Sequence, residues 1–263
     1  MSAPLPPAEQ GTAPAAETFE YLLRLGDSAL VLAQRLSQWC GKGPALEEDL
    51  ALTNVALDLL GQARLWLSYA GEIEGRGRDE NALAYLRDAG GFRNLLLVEQ
   101  PNGDYAATLV RQFFFDAWHA LALQALARSS DARIAEIAAK SVKEVDYHQR
   151  RSADLVVRLG DGTDESRRRM QAAVDALWMY TGEAFEADRV EQSLAARGVA
   201  CDPSSLRAPW LAHVGEVLAE ATLAMPEHTW AQRGGKQGRH TEQLGFVLAE
   251  MQFLQRAYPG ARW

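Results

Sequence analysis

The sequence predicts an all-α protein, a bundle of four long helices with additional helices at its C-terminal end. Apolar residues recur three or four positions apart over long stretches, which is the period of helices that bury one face. The alternating pattern of half-buried strands is absent, and the helix-favouring residues Ala, Leu, Arg, Glu and Gln are abundant. Short or moderate connections separate the four long helical stretches, as is typical of bundles.

Length and composition indicate a globular protein that can bury a sizeable core. The chain has 263 residues, of which 48% are hydrophobic. Its formal net charge of −8 argues against non-specific nucleic-acid binding, which requires a basic surface. Neither Cys40 nor Cys201 lies in a metal-binding motif. The sequence shows no signal peptide and no membrane span, so we expect a cytoplasmic protein without a membrane partner.

The N-terminal part of the chain divides into a leader and the first two helices. Residues 1–17 are rich in Ala and Pro and lack a hydrophobic period, so we predict a disordered leader there and one helical domain over 18–263. The first helix is predicted over about 18–40, because the Gly- and Pro-containing stretch 41–44 stops it. The second is predicted over about 45–72. Its apolar face carries Leu52, Val55, Leu59, Gln62, Trp66 and Tyr69.

The third and fourth long helices follow a strong loop signal at 100–104. The third is predicted over about 105–128, with Asp116 on its apolar face. The fourth is predicted over about 131–160, with Asp131 as its N-cap and with Val145 and His148 on its apolar face. Three further helices are predicted over about 164–196, 203–225 and 240–257.

Two of these helices have the ligand spacing of a di-iron bundle but lack most of the ligands. Such a bundle takes one Glu from each of two helices and a Glu-x-x-His pair from each of the other two. Residues three apart point to the same side of a helix, so one helix can supply two ligands. The expected Glu and His positions hold Leu59 and Gln62 in the second helix, and Val145 and His148 in the fourth.

The remaining two helices add little to this ligand set. The first offers Ala29 and Ala33, with Asp27 off the apolar face, and the third offers Asp116. Asp116 and His148 are therefore the donors left at six expected positions. Leu and Val cannot ligate iron, so the sequence predicts a degenerate di-iron site with no metal bound by this chain.

Asp116 and His148 have alternative interpretations. A histidine on an apolar helical face is usually a core residue paired with a carboxylate, here Asp116 or Glu144. Asp116 and His119 also form an Asp-x-x-His pair. An alternative interpretation is therefore an atypical metal site in which His119 and Glu144 join Asp116 and His148 as ligands. His119 is expected off the apolar face, which weakens that alternative.

A basic, Gly-rich stretch precedes the last predicted helix. Its candidate functional residues are Arg233, Lys236, Arg239 and His240. We expect a flexible segment that forms no part of the core. It is interpreted either as a linker or as a segment that becomes ordered against another protein chain.

Five stretches carry a resemblance to a known family: DLLGQAR at 58–64, LVEQPNGDY at 97–105, residues 111–119, KEVDYHQRR at 143–151, and residues 240–263. They are similar to the C subunits of bacterial phenylacetyl-CoA oxygenase, also called 1,2-phenylacetyl-CoA epoxidase. The resemblance extends from about residue 18 to the C-terminus.

The resemblance implies a ferritin-like fold and a place in a complex of several subunits. In that family a homologous A subunit carries the di-iron centre and binds the coenzyme A ester, and a flavin and iron–sulfur reductase supplies electrons. The complex epoxidises the aromatic ring of phenylacetyl-CoA during aerobic phenylacetate breakdown. The C subunit pairs with the A subunit and has no working metal site. The resemblance adds a third interpretation of the basic stretch at 233–240, which is contact with the coenzyme A phosphates.

Three functions follow as hypotheses. The first is a structural subunit that scaffolds the di-iron catalytic subunit, so that this chain is part of an oxygenase without performing its chemistry. The second is an independent metalloenzyme that uses Asp116, His119, Glu144 and His148. The third is a stand-alone ligand-binding bundle without metal, which would have no affinity for a catalytic homologue.

Overall fold

The computed structural model describes residues 13–227 and 230–261, and every element of regular structure in these residues is helical. Four long helices form the bundle, as the sequence predicts. They are α1 (Ala13–Ser37), α2 (Leu46–Glu74), α5 (Tyr105–Leu126) and α6 (Ala132–Gly160). Two short helices, α3 (Glu80–Tyr85) and α4 (Leu96–Glu99), lie in the connection between the two pairs.

The C-terminal part adds α7 (Asp164–Leu177), α8 (Arg189–Ala196), α9 (Arg207–Glu220), α10 (Glu242–Met251) and α11 (Phe253–Ala257). Single 3-10 turns lie at Ala89–Gly91, Trp178–Tyr180, Gly182–Phe185, Pro203–Leu206 and Gly235–Gln237. None of the helices in the described ranges is both long and apolar enough to cross a membrane.

The bundle is built from two helix pairs. Helix α1 packs along α2, and α5 packs along α6, while α2 also contacts α6 at the centre. Helices α7 and α9 cover α5 and α6 from outside, and α8 and α10 lie against α1. A continuous apolar core runs through all of these elements, from Tyr21 in α1 to Leu248 in α10. The arrangement places the inward faces of α2, α5 and α6 around one buried centre.

The first helix begins five residues earlier than predicted. Residues 13–17, which we expected in the disordered leader, form the first turns of α1, and the remainder of the predicted leader, 1–12, lies outside the described residues. Pro14 is tolerated because the first turn has no internal partner for its missing N–H. The Glu17 side chain accepts a hydrogen bond from Ser193 in α8 at 2.5 Å. This tertiary contact anchors a turn that composition alone does not favour.

The predicted helix over 164–196 is two helices in the structure. Helix α7 ends at Leu177, and 3-10 turns follow before α8 begins at Arg189. The Asp188 side chain caps α8 by accepting hydrogen bonds from the backbone N–H groups of Val190 and Glu191. The Glu191 carboxylate in turn accepts a hydrogen bond from the backbone N–H of Asp188. This capping box favours the start of a new helix at this point, so the single helix that helical propensity predicts is divided in two. Asp131 caps α6, as predicted.

The basic, Gly-rich stretch is an internal part of the fold, contrary to the expectation of a flexible segment. Lys236 is 5% exposed, and its ammonium lies 2.9 Å from the Glu191 carboxylate. The His240 side chain lies between Glu99, at 2.8 Å, and the carbonyl oxygen of Phe92, at 3.0 Å. Burial opposes its protonation, but these two contacts raise the pKa of His240 above its ordinary value. Lys236 and His240 thus have their polar partners within this chain.

The other two residues of that stretch stay on the surface. The Arg233 side chain is 65% exposed and pairs with Glu186 at 2.8 Å, and Arg239 is exposed. For Arg233 and Arg239, contact with a partner subunit remains a prediction.

Candidate functional site

The centre of the bundle lies where α2, α5 and α6 face one another. Leu59 of α2 and Val145 of α6 occupy the positions where the spacing calls for carboxylate ligands, and both are fully buried. They pack with the apolar core and present no donor atom. The polar side chains of the centre are arranged around them.

Two hydrogen-bonded pairs join α2 to α6 at this point. Nε2 of His148 lies 2.9 Å from an Asp58 carboxylate oxygen, and Nε2 of Gln62 donates to the Glu144 carboxylate at 2.9 Å. Asp58 and Gln62 are one helical turn apart, as are Glu144 and His148. The earlier residue of α2 pairs with the later residue of α6, so the two helices run antiparallel here. Gln62, in a predicted ligand position, therefore serves as a link between helices.

The partner of His148 is not one of those expected from the sequence. We expected Asp116 or Glu144, but His148 contacts Asp58, whose side chain is 38% exposed, while His148 itself is buried. Asp58 directly precedes Leu59, and it turns towards α6 rather than into the core. The four-residue spacing of Asp58 and Gln62 on α2 matches that of Glu144 and His148 on α6, so it is compatible with this pairing, but it does not specify how the two helices are aligned.

Asp116 has its own partners in α5 and α6. Its carboxylate accepts hydrogen bonds from Nε2 of Gln112 at 2.6 Å and from the Ser152 hydroxyl at 2.9 Å. The residue is fully buried. Burial raises the pKa of Asp116 to about 6, and the nearby His148 and the two hydrogen bonds limit the rise. Asp116 thus points inward, as predicted, but its oxygens are used by neighbouring side chains.

His119 is buried, although we expected it off the apolar face. It is 3% exposed, and its ring lies against Phe115 and Trp118 with centroid separations of 4.9 and 6.0 Å. Burial, with a contribution from His148, lowers the pKa of His119 to about 3. Its imidazole is therefore neutral at physiological pH and belongs to an aromatic cluster on α5.

Asp27 is a further buried carboxylate that sequence reasoning set aside. It is fully buried and lies 2.9 Å from the Arg87 guanidinium, while the backbone N–H of Arg93 donates to it at 2.8 Å. The sequence does not indicate this ion pair, because Asp27 and Arg87 are 60 residues apart. The pair fixes the connection between the two halves of the bundle and lies apart from the α2–α6 links.

The chain is 54% identical, over 243 residues, to the C subunit of the 1,2-phenylacetyl-CoA epoxidase of Escherichia coli (strain K12), and the match covers 92% of this chain and 98% of that protein. A family model described as phenylacetic acid catabolic protein matches residues 1–263. The chain belongs to the phenylacetic acid catabolic protein family. The observed all-helical bundle is the ferritin-like fold of that family, and the resemblance to C subunits is confirmed.

The side chains of this family member do not fit a di-iron cluster. Two irons in such a bundle require six carboxylate and histidine donors, whereas Leu59 and Val145 are apolar and Gln62 is a neutral amide. His148 and Glu144 are each engaged by a partner on α2. Over residues 13–227 and 230–261, no three His, Cys, Asp or Glu side chains converge in a way that could hold a metal ion.

Proposed function

We propose that this chain is a non-catalytic, cytoplasmic structural subunit of a phenylacetyl-CoA epoxidase that scaffolds a homologous di-iron catalytic subunit. The observation that carries the proposal is that buried, apolar Leu59 and Val145 occupy positions where this fold class takes carboxylate ligands, with the two α2–α6 links beside them. The relative from Escherichia coli, which is by name the C subunit of such an epoxidase, supports the assignment to the complex.

The geometry explains how such a subunit keeps its shape without a cluster. In a di-iron bundle the metals tie helices together across the core. Here the links Asp58–His148 and Gln62–Glu144 join α2 to α6, and Ser152 of α6 joins Asp116 of α5. Buried and partly buried polar groups that are hydrogen-bonded to one another stabilise one register of packed helices, because another register would separate them from their partners. The bundle thereby offers a rigid surface to its partner.

The experiment is co-purification of this chain with the catalytic subunit. Each chain is produced alone and together, and the mass of the complex and the iron bound per chain are measured. We expect a stable complex in which the catalytic chain binds iron and this chain binds none. Iron bound in a one-to-one or higher ratio by the isolated chain would overturn the proposal and favour the independent metalloenzyme.

A His148→Gln variant separates the two functions further. In a structural subunit the variant weakens the link to Asp58, so the melting temperature falls while the iron content of the complex stays the same. In a metalloenzyme built on Asp116, His119, Glu144 and His148, the same variant lowers iron content and activity together. Glu136→Gln, at an exposed carboxylate on the same helix, serves as the control for expression and assembly.

A further inference from the structure

Both ring nitrogens of His240 face hydrogen-bond acceptors. Nδ1 lies 2.8 Å from a carboxylate oxygen of Glu99, and Nε2 lies 3.0 Å from the carbonyl oxygen of Phe92. The His240 side chain is 4% exposed, and that of Glu99 is fully buried. A neutral imidazole has one donor and one acceptor nitrogen, so it can satisfy only one of two acceptors. A carbonyl oxygen can only accept, so Nε2 carries a proton.

The surroundings of Glu99 place a second proton on Nδ1. Asn94 donates to the Glu99 carboxylate at 2.9 Å, and the backbone N–H and the hydroxyl of Thr241 donate at 2.6 and 2.8 Å. The Thr241 hydroxyl itself accepts a hydrogen bond from the N–H of Gln243, so its own proton points to Glu99. Three donors already surround the carboxylate, and it meets His240 as a charged acceptor. The ring is therefore an imidazolium.

This ion pair joins three segments that are distant in the sequence. Glu99 is the last residue of α4, and Phe92 lies in the connection between the helix pairs. His240 directly precedes Thr241, whose side chain caps α10 by accepting from the N–H of Gln243. The carboxylate also lies at the start of α10, where a helix favours negative charge. The pair thus fixes the first turn of α10 against the rest of the fold.

The other charged side chains on the elements around the ring are paired elsewhere or exposed. The paired ones are Asp27 with Arg87 at 2.9 Å, Arg93 with Glu20 at 2.5 Å, and Arg35 with the carbonyl oxygen of Glu99 at 2.7 Å. The exposed ones, which lie within two residues of His240 in the sequence, are Arg239 and Glu242. Among the side chains named here, Glu99 is the one whose carboxylate bonds to the ring.

Loss of the ring proton would leave one of these contacts repulsive. A neutral ring must turn a lone pair towards either the Glu99 carboxylate or the Phe92 carbonyl oxygen. Burial opposes the charged form, but both contacts and the charge of Asp27 raise the pKa of His240 above its ordinary value of 6.5. The folded chain therefore binds this proton more tightly than the unfolded chain. The resulting stabilisation is complete below about pH 6.5 and is lost as the pH rises through the raised value.

We propose that His240 is a proton-dependent latch, which holds the first turn of α10 on α4 while the ring is protonated and releases it when the proton passes to solvent. Two anchors limit how far the chain loosens. Lys236 is held by Glu191 on one side. On the other side, the Gln252 amide donates to two backbone carbonyl oxygens at the end of α3. Release therefore concerns the residues between these anchors, and it does not depend on assembly with another subunit.

The first test follows the ring nitrogens of the isolated full-length chain by NMR as the pH is raised. Their chemical shifts are nearly equal in an imidazolium and well separated in a neutral ring, and His240 is assigned through the wild-type backbone. We expect His240 to lose its proton at a higher pH than His213, a half-buried histidine of α9 whose pKa burial lowers. A midpoint for His240 at or below the ordinary 6.5 overturns the proposal.

Hydrogen exchange tests whether the proton holds α10. Exchange rates are corrected for the intrinsic effect of pH, and the amides of α9 serve as the internal reference. We expect the protection of α10 to fall about tenfold as the pH rises through the His240 midpoint, because a hydrogen bond to a charged group is lost. Protection that stays constant relative to α9 across this range contradicts the latch.

Variants separate the ring proton from other effects of pH. We expect His240→Gln to lower the protection of α10 and to abolish its dependence on pH, while the control His213→Gln keeps the wild-type profile. Glu99→Gln removes the charge but keeps the shape, and it should weaken proton binding by His240 about tenfold. An unchanged His240 midpoint in Glu99→Gln, or a wild-type exchange profile in His240→Gln, overturns the proposal.

Discussion

Asp116 shows how the buried centre couples to pH. Burial raises its pKa to about 6 from an ordinary value of 3.8. A carboxyl with a raised pKa binds its proton more tightly in the folded chain than in the unfolded one. Its contribution to stability is therefore complete below about pH 4 and is lost as the pH rises through about 6. At neutral pH the carboxylate is charged, and it is favoured by the nearby His148 and by the hydrogen bonds from Ser152 and Gln112.

We expect Asp116→Asn to remove this dependence. Relative to the wild type, the free energy of unfolding of the variant should improve by about 2–3 kcal/mol between pH 4 and pH 7, since two pKa units are worth nearly that much. The Asn amide can still bond Ser152 and Gln112. Urea unfolding at several pH values measures the difference. Asp154→Asn, at an exposed carboxyl on α6, is the control, and a difference that stays constant across pH contradicts the prediction.

At the residue scale, helical period predicts the inward direction of several side chains, though not that of His119, and it does not identify their partners. Helical period alone indicates that Asp116, Val145 and His148 face inward, and all three are buried. The pairing of His148 with Asp58 depends on how α2 and α6 are aligned along their axes. That register is a tertiary property, and the spacing within either helix leaves it open.

Gly235 is buried in the segment that the sequence predicts to be flexible. Asn94, Leu96 and Glu183 surround it, and a Cβ atom added there would lie 2.2 Å from the carbonyl oxygen of Asn94 and 3.1 Å from the backbone nitrogen of Leu96. Backbone atoms cannot move aside as a flexible side chain can. The 3-10 turn Gly235–Gln237 therefore packs against the connection between the two helix pairs only because residue 235 lacks a side chain.

We expect Gly235→Ala to lower the free energy of unfolding by about 1–3 kcal/mol, the range for overpacking a filled site. Gly245→Ala is the matched control, because Gly245 lies inside α10 and an added Cβ there meets nothing within 4 Å. It should raise stability by up to about 1 kcal/mol through helix propensity. Chemical denaturation of both variants gives the comparison, and equal effects of the same sign would refute the packing argument.

At the element scale, long helices were predictable and the segments between them were not. The four bundle helices show a 3.6-residue period that is visible in the local sequence. The basic, Gly-rich composition of 233–240 carries no such period, and the groups that bury it, Glu99, Glu183 and Glu191, are more than 40 residues away. A single sequence does not show contacts at that distance.

At the scale of the whole molecule, a buried carboxylate and the apolar core join segments that are distant in the sequence. Glu183 is 2% exposed, and its side chain accepts from the backbone N–H groups of Leu96 at 3.0 Å, Gly234 at 2.8 Å and Lys236 at 3.3 Å. It thus ties the connection between the helix pairs to the C-terminal segment. The apolar core also runs without interruption from α1 to α10. The C-terminal helices therefore pack on the same core as the bundle.

Unfolding should consequently occur in one step, even in a chain of 263 residues. Far-UV circular dichroism reports all helices, while the fluorescence of the seven tryptophans, of which Trp66 and Trp210 are 0 and 2% exposed, reports tertiary packing. We expect the two signals to change together on heating, and Glu183→Ala to lower both midpoints equally, because three buried N–H groups lose their acceptor. Glu186→Ala, at a 41% exposed side chain in the same loop, should change neither. Loss of helix before the core signal changes would instead mean that the C-terminal segment unfolds separately.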